Sequence, residues 1–194
     1  MRHEVRFSGF GGQGIILSAV ILGRAAVIYD NKHAVQTQVY GPEARGGASM
    51  SALIIDDEPI LFPKVTHPDI FVIMSQEGFE KYGADAPENA VMVLDSSIVH
   101  SRQKCRCYEI PATREAKQSL GRDIVANIVM LGDIVANILM LGALVKTTGI
   151  VNEAALEKAI LDSVPKGTEA LNTKAMKKGI ELAAAVLREK EERA

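Results

Sequence analysis

The segment that most constrains the fold is a glycine-rich stretch near the N-terminus, GFGGQG at Gly9–Gly14. Before it, Val5 and Phe7 alternate with polar residues in the segment Glu4–Ser8, as they do in a strand. After it, the apolar run Ile15–Ile28 is typical of a buried helix. A strand, a glycine turn and a helix in this order form the first unit of an α/β fold.

The remaining segments continue this pattern and end in helices. HAVQTQVYG alternates like a strand, and ASMSALIIDDEPILFP is predicted to be a β-hairpin because Asp56–Pro59 separates two β-rich runs. PDIFVIMS, AVMVLDSS and CRCYEIP are predicted strands, with a brief helix in QEGFEKYGADAP. From ATREAKQSLG onward the pattern is helical, with Asn152 as an N-cap and Pro165 as a stop. We therefore expect one domain, residues 1–194, of α/β class: a three-layer, doubly wound mixed sheet with an inserted β-hairpin and C-terminal helices.

The glycine stretch is also a candidate binding loop. Its glycines fit the pattern G-x-G-x-x-G between a strand and a helix, where backbone N–H groups and a helix N-terminus can hold a phosphate. An ordinary tight turn explains the same residues equally well. NAD is disfavoured, because Asp30 precedes the second strand and Glu43 follows it, so neither stands where the ribose-binding acid is expected. The candidate cofactor-binding residues are Gly9, Gly11, Gly12, Gln13 and Gly14.

A second motif, YGPEARGG, predicts a shaped loop with a charged pair. Pro42 fixes one backbone dihedral, while the glycine pair at its end permits a sharp reversal. Arg45 suits a carboxylate or phosphate, with Glu43 orienting it, and the loop should lie at the same sheet edge as the glycine stretch. The alternative is a surface loop with an incidental ion pair. The candidate interface or ligand residues are Tyr40, Glu43, Arg45, Gly46 and Gly47.

The chain contains a tandem duplication, DIVANIVMLG at Asp123–Gly132 followed by DIVANILMLG at Asp133–Gly142. Two copies of ten residues do not make a solenoid. A membrane span is disfavoured because Asp133 at the centre would cost roughly 2.5 to 3.5 kcal/mol. At about 100° per residue, ten extra residues rotate the rest of a helix by about 80° backwards, so both copies cannot face one core in an unbroken helix. We expect one copy to loop out or to contact a partner.

Composition and scattered polar residues restrict the function further. A net charge of -2 gives no electrostatic case for nucleic acid. Cys105 and Cys107 are too few for a four-cysteine cluster and are interpreted as semi-buried hydrophobic residues on one strand face. No catalytic residue and no metal ligand is assigned, since the four histidines are scattered. The opening MRHEVRFSGF lacks the apolar stretch of a secretory signal, which predicts a cytoplasmic protein.

Four segments together resemble the gamma subunit of 2-oxoacid:ferredoxin oxidoreductases. They are GFGGQGIILSAVILGRAA, TQVYGPEARGGASMSALIIDDEPI, PDIFVIMS and ANILMLGALVKTTGIV, in this order and spacing. The form YGPEARGG is most similar to the 2-oxoglutarate branch. The family pattern has one ANxxxLG segment where this chain has two, so the family's asparagine corresponds to either Asn127 or Asn137.

The resemblance implies a subunit that works with partners and carries no catalytic residue of its own. The alpha and beta subunits would hold thiamine diphosphate with Mg, and the beta or a small delta subunit would carry the iron–sulfur clusters. The complex would convert a 2-oxoacid to an acyl-coenzyme A and reduce ferredoxin. The gamma subunit would lie on the coenzyme A side, where the glycine stretch can meet an anion. The alternative from the residues alone is a stand-alone nucleotide- or phosphate-binding regulatory module, without membrane or nucleic acid partners.

Overall fold

The computed structural model describes residues 1–39, 47–101, 104–120 and 128–192, which form one mixed sheet flanked by helices. The strands are β1 (His3–Phe10), β2 (His33–Val39), β3 (Ala48–Asp56), β4 (Ile70–Ile73), β5 (Val91–Asp95) and β6 (Arg106–Ile110). The helices are α1 (Ile15–Arg24), α2 (Gln76–Tyr82), α3 (Ala112–Leu120), α4 (Ile128–Thr148), α5 (Glu153–Leu161) and α6 (Glu169–Glu192). A π-helical turn, Ala25–Tyr29, continues α1.

The sheet has the strand order β2-β3-β1-β4-β5-β6. Strands β1, β4, β5 and β6 run parallel, whereas β3 pairs antiparallel with both β1 and β2. Because β3 is antiparallel to β1, Ala48 at its start lies opposite Phe10 at the end of β1. The predicted mixed α/β sheet is confirmed, and this register brings the glycine stretch and the start of β3 to one edge.

The antiparallel pair does not lie where the sequence pattern placed it. The hairpin predicted across Asp56–Pro59 is wrong, because β3 ends at Asp56 and the next strand begins only at Ile70. Prolines at 59, 63 and 68 lack the N–H group that a strand needs, and Leu61 is 94% exposed, so the second β-rich run has no core face to bury. The antiparallel interruption of the sheet is instead the pair β2–β3, which flanks the YGPEARGG segment.

Two apolar clusters cover the two faces of the sheet. In β4, Ile70 and Val72 face a cluster with α1, α4, α5 and α6, whereas Phe71 and Ile73 face a smaller cluster with Phe79 of α2. All four residues of β4 are at most 2% exposed, so alternate side chains reach opposite faces of a central strand. Helices on both faces make the three layers that the sequence pattern predicts.

Helix α4 is continuous from Ile128 to Thr148 and packs closely against α6. At Gly142 an added Cβ would lie 2.2 Å from the Met176 carbonyl oxygen, and at Gly179 it would lie 1.9 Å from the Leu139 carbonyl oxygen. The second copy of the duplication therefore lies in the core between these helices. Residues 128–132 of the first copy continue the same helix without a break, and residues 123–127 lie outside the described residues.

Within the described ranges, none of the helices is long and apolar enough to cross a membrane.

Candidate functional site

The candidate site lies where β1 and β4 end and β3 begins. The segment from Gly11 to Gly14 joins the end of β1 to the start of α1, so the helix N-terminus is directed toward this edge. Met74 and Ser75 follow β4 at the same edge, and the Met74 N–H donates to the Ser8 carbonyl oxygen at 2.8 Å. The predicted order of strand, glycine turn and helix is confirmed here.

The Gln13 side chain stabilises the glycine stretch through hydrogen bonds to the backbone. Its Oε1 accepts a hydrogen bond from the Phe10 N–H at 2.9 Å, and its Nε2 donates to the Met74 carbonyl oxygen at 2.9 Å. The Gln13 N–H donates to the Phe10 carbonyl oxygen at 3.1 Å. Gln13 is 8% exposed, and both polar atoms of its side chain are used in these bonds, which stabilise the loop and link it to the end of β4. The sequence pattern grouped it with the binding residues, whereas the geometry gives it a structural role.

Two glycines of the loop have left-handed backbone conformations. Gly14 has φ 84° and is the N-cap of α1, so no side chain satisfies the N–H groups of the first helical turn. Gly12 has φ 94°, and no atom of the described residues lies within 4 Å of the position that a Cβ would take. Gly12 is exposed to solvent.

The end of the YGPEARGG segment touches the glycine loop directly. The Gly11 N–H donates a hydrogen bond to the Gly47 carbonyl oxygen at 3.0 Å. Tyr40, Glu43, Arg45 and Gly46, the other candidate residues of this segment, lie outside the described residues.

The N-terminus of α2 also approaches the loop, which the sequence pattern did not reveal. Ser75 caps this helix by accepting a hydrogen bond from the Gly78 N–H at 3.0 Å. A Cβ on Gly78 would lie 2.8 Å from the Gly9 nitrogen, so only glycine permits this approach. The signal was present as a serine three residues before a glycine at a strand end, but nothing in the sequence linked it to Gly9.

Asn137 of α4 contacts the loop from the other side. Its Nδ2 donates a hydrogen bond to the Gln13 carbonyl oxygen at 2.5 Å, and the residue is 5% exposed. Its Oδ1 is buried and has no hydrogen-bond partner among the described residues. Asn137 belongs to the second copy of the duplication. The sequence leaves open which of the two asparagines matches the family pattern; Asn137 lies at the loop, and Asn127 lies outside the described residues.

The other polar groups weighed in the sequence have structural contacts away from the loop. Burial, together with the hydrogen bond to Cys105, raises the pKa of the Cys107 thiol to about 12, and the two sulfur atoms lie 3.4 Å apart. The two thiols lie on the same side as predicted, but only Cys107 is in a strand, because β6 begins at Arg106. Asp30 accepts hydrogen bonds from the backbone and side chain of Asn152 at the start of α5. No group of three or more His, Cys, Asp or Glu side chains within the described ranges is arranged to hold a metal ion.

Comparisons with known proteins identify the family of this chain. The family model for pyruvate ferredoxin/flavodoxin oxidoreductase matches residues 4–182. A 2-oxoglutarate synthase subunit, KorC, of Methanocaldococcus jannaschii is 54% identical over 94% of this chain and 95% of its own. The relatives do not favour a stand-alone nucleotide-binding module.

Solved structures share the fold. The keto/oxoacid ferredoxin oxidoreductase gamma subunit from Geobacter sulfurreducens has a TM-score of 0.79 and 43% identity, covering 94% of this chain and 99% of that chain. The 2-oxoglutarate:ferredoxin oxidoreductase from Magnetococcus marinus also has a TM-score of 0.79, at 22% identity over 95% of this chain and 31% of that chain. This second likeness shows the fold alone. The resemblance to gamma subunits is confirmed, and the chain belongs to the pyruvate ferredoxin/flavodoxin oxidoreductase family.

Proposed function

We propose that this chain is the gamma subunit of a 2-oxoglutarate-type 2-oxoacid:ferredoxin oxidoreductase. The observation that carries the proposal is the 54% identity to a 2-oxoglutarate synthase subunit over nearly the full length of both chains. A pyruvate synthase subunit, PorC, of Methanothermobacter marburgensis is 32% identical over 84% of this chain, a weaker likeness. The reaction is the oxidative decarboxylation of 2-oxoglutarate to succinyl-coenzyme A with reduction of ferredoxin.

The chain supports this reaction without holding its redox cofactors. Two cysteines cannot supply the four thiolates of an iron–sulfur cluster, and both are buried or half-buried against the sheet. In this proposal, as the family resemblance implies, the alpha, beta and, where present, delta subunits hold thiamine diphosphate, Mg and the clusters, and ferredoxin binds the complex through them. The assembly is a hetero-oligomer in the cytoplasm.

The role of this subunit is to present its loop edge to the anionic part of coenzyme A. Support comes from the N-terminus of α1, which begins after Gly14 without a side-chain cap and so leaves N–H groups and a positive dipole end for an anion. The open space beside Gly12 admits a phosphate to close range. Gly11 is hydrogen-bonded to Gly47, which stands two residues after Arg45 in the sequence, and this supports the guanidinium of Arg45 as the proposed contact to the ligand, with Glu43 orienting it.

The proposal is tested by assembly and turnover. The chain is co-expressed with the subunits encoded beside it, and the purified complex is assayed with 2-oxoglutarate, pyruvate and branched-chain 2-oxoacids. We expect co-purification, preference for 2-oxoglutarate, and a raised KM for coenzyme A in Arg45→Ala, with the melting temperature of the isolated subunit nearly unchanged. Arg188→Ala on the outer face of α6 is the matched control. Normal assembly and turnover in Arg45→Ala would remove Arg45 from the site.

A further inference from the structure

We propose that Asn137 is a positioning residue that sets the conformation of the glycine loop, so that the second copy of the duplication controls how the loop meets its ligand. This inference rests on the function proposed above. It assigns a role to a residue whose side chain is buried in α4 and whose one described polar contact is the loop backbone.

Asn137 fixes the orientation of the peptide group between Gln13 and Gly14. A trans peptide is planar and places its carbonyl oxygen and its N–H on opposite sides of the chain. Asn137 Nδ2 holds the Gln13 carbonyl oxygen at 2.5 Å, toward α4. The Gly14 N–H, which starts the N-terminus of α1, is therefore directed away from α4. A flip of this peptide would turn a donor away from an anion and present a carbonyl oxygen to it.

Asn137 also lies against Gly14 itself. A Cβ at Gly14 would lie 2.7 Å from Asn137 Nδ2, so the amide of Asn137 packs against the Gly14 backbone as well as bonding to Gln13. Gly14 has φ 84°. Glycine adopts positive and negative φ about equally readily, so the residue type alone does not fix this conformation. The contact selects this conformation from those that glycine permits. The loop is thus fixed from one side by the Gln13 side chain and from the other by Asn137.

Only the nitrogen of the Asn137 amide has a hydrogen-bond partner among the described residues. Its Oδ1 is buried without a hydrogen-bond partner among the described residues. A leucine of nearly the same shape would fill this position without the unpaired Oδ1, although it would deprive the Gln13 carbonyl oxygen of its donor. Packing alone therefore gives no reason for asparagine, whereas the Nδ2 contact to Gln13 does.

The duplication supplies a matched control. Asn127 stands in the same pentapeptide, DIVAN, ten residues earlier, and lies outside the described residues. Ten residues rotate a helix by about 80° from a whole number of turns, so the two asparagines do not occupy equivalent positions along one helix. Asn137→Leu and Asn127→Leu make the same chemical change in the same local sequence.

The test measures the loop and the ligand separately. Hydrogen exchange of the amides of residues 9–14 is measured in the full-length chain, and KM and kcat for coenzyme A in the assembled complex. We expect Asn137→Leu to remain folded, to exchange these amides about tenfold faster, and to raise the KM for coenzyme A with kcat within about twofold. Asn127→Leu should change none of these quantities. If the leucine variant does not fold, Asn137→Ala gives the same comparison.

The outcomes separate this inference from the proposed function. Unchanged exchange at residues 9–14 in a folded Asn137→Leu or Asn137→Ala chain would overturn the positioning role. An equal effect of Asn127→Leu would also overturn it. Faster exchange with an unaltered KM for coenzyme A would keep the contact but overturn the control of ligand binding. If Gly14→Val also leaves that KM unaltered, the coenzyme A role of the loop fails as well, independently of Asn137.

Discussion

The backbone N–H of Gly11 and the carbonyl oxygen of Gly47 are joined by a hydrogen bond of 3.0 Å. This bond connects the glycine loop after β1 to the end of the YGPEARGG segment before β3. Because β3 runs antiparallel to β1, the two segments meet at the sheet edge where parallel strands end. We propose that a ligand or partner that binds the glycine loop also meets the YGPEARGG segment, and changes in either should then affect the same step of the reaction.

The two left-handed glycines should differ in their tolerance of a methyl group. Gly12→Ala adds a Cβ in open space, so only the unfavourable φ acts, and we expect a loss of about 1 kcal/mol in unfolding free energy. Gly14→Ala adds the clash with Asn137, and overpacking contributes a further loss of about 1 to 3 kcal/mol. Urea unfolding of the two variants measures both quantities. Equal losses would show that the contact between Gly14 and Asn137 is loose.

The two side-chain hydrogen bonds of Gln13 should contribute to the stability of the fold. Gln13→Leu leaves the Phe10 N–H and the Met74 carbonyl oxygen without their partner, and we expect a loss of about 2 to 4 kcal/mol. Gln118→Ala on the exposed face of α3 is the control and should change stability by less than about 0.5 kcal/mol. Thermal and urea unfolding give the comparison. A Gln13→Leu chain as stable as the control would mean that water or a rearranged loop replaces both bonds.

The chain should fold with one copy of the duplication. Either copy can be deleted. Deletion of residues 123–132 keeps Leu139, whereas deletion of residues 133–142 keeps Val129 at the equivalent position, and the two products are otherwise identical. We expect both to fold and assemble, because each retains one asparagine and one glycine at the same spacing before Ala143. The valine version should be less stable by about 1 kcal/mol, since Leu139 is 1% exposed and loses one methylene.

Circular dichroism and co-purification with the partner subunits decide this prediction. Insoluble products from both deletions would show that the two copies are each required by the structure. A difference much larger than about 1 kcal/mol between the two would mean that the retained copy takes up a different position in each chain.

Acid should remove the stabilisation that Glu4 provides. Burial raises the pKa of Glu4, but hydrogen bonds from Arg2 and from the His67 and Thr66 N–H groups outweigh it and hold the pKa below its ordinary value. A lowered carboxyl pKa contributes stability that is fully present above the unfolded value of about 4.3 and is lost as the pH falls through the folded value.

Glu4→Gln tests this pH dependence. At pH 7 we expect the variant to be less stable than the native chain by about 2 kcal/mol, because charge-assisted hydrogen bonds to residues 66 and 67 are weakened. The difference should narrow as the pH falls from 5 to 3, where the native carboxylate becomes protonated. Urea unfolding across this range measures it. A difference that is constant with pH would show that the carboxylate charge contributes nothing.

Local patterns predicted the parts of the fold that depend on local chemistry. Alternation at Val5 and Phe7 gave β1, the glycines gave the turn, and Asn152 was correctly placed as the N-cap of α5. Asn152 makes no side-chain cap bond, however, because its amide bonds to Asp30 instead. That partner lies far away in sequence, so no local pattern reveals it.

The misplaced hairpin and the loop contacts have the same physical cause. The run after Asp56 has β-forming residues, but whether it becomes a strand depends on a neighbouring strand and a core face, and neither is available to it. Likewise, the bond between Asn137 and Gln13 exists only because α4 packs against the start of α1. The sequence identified both residues as noteworthy but could not place them together.

The central claim is that this chain is a required subunit of a 2-oxoglutarate-type complex, and reduction of a viologen dye tests it most directly. The rate is measured with 2-oxoglutarate and coenzyme A for the chain alone, for the partner subunits alone, and for the complex assembled from both. We predict no reduction by either part alone, and rapid reduction by the complex that requires both substrates and exceeds the rate with pyruvate. Turnover by the isolated chain, or full turnover by the partners without it, would contradict the claim.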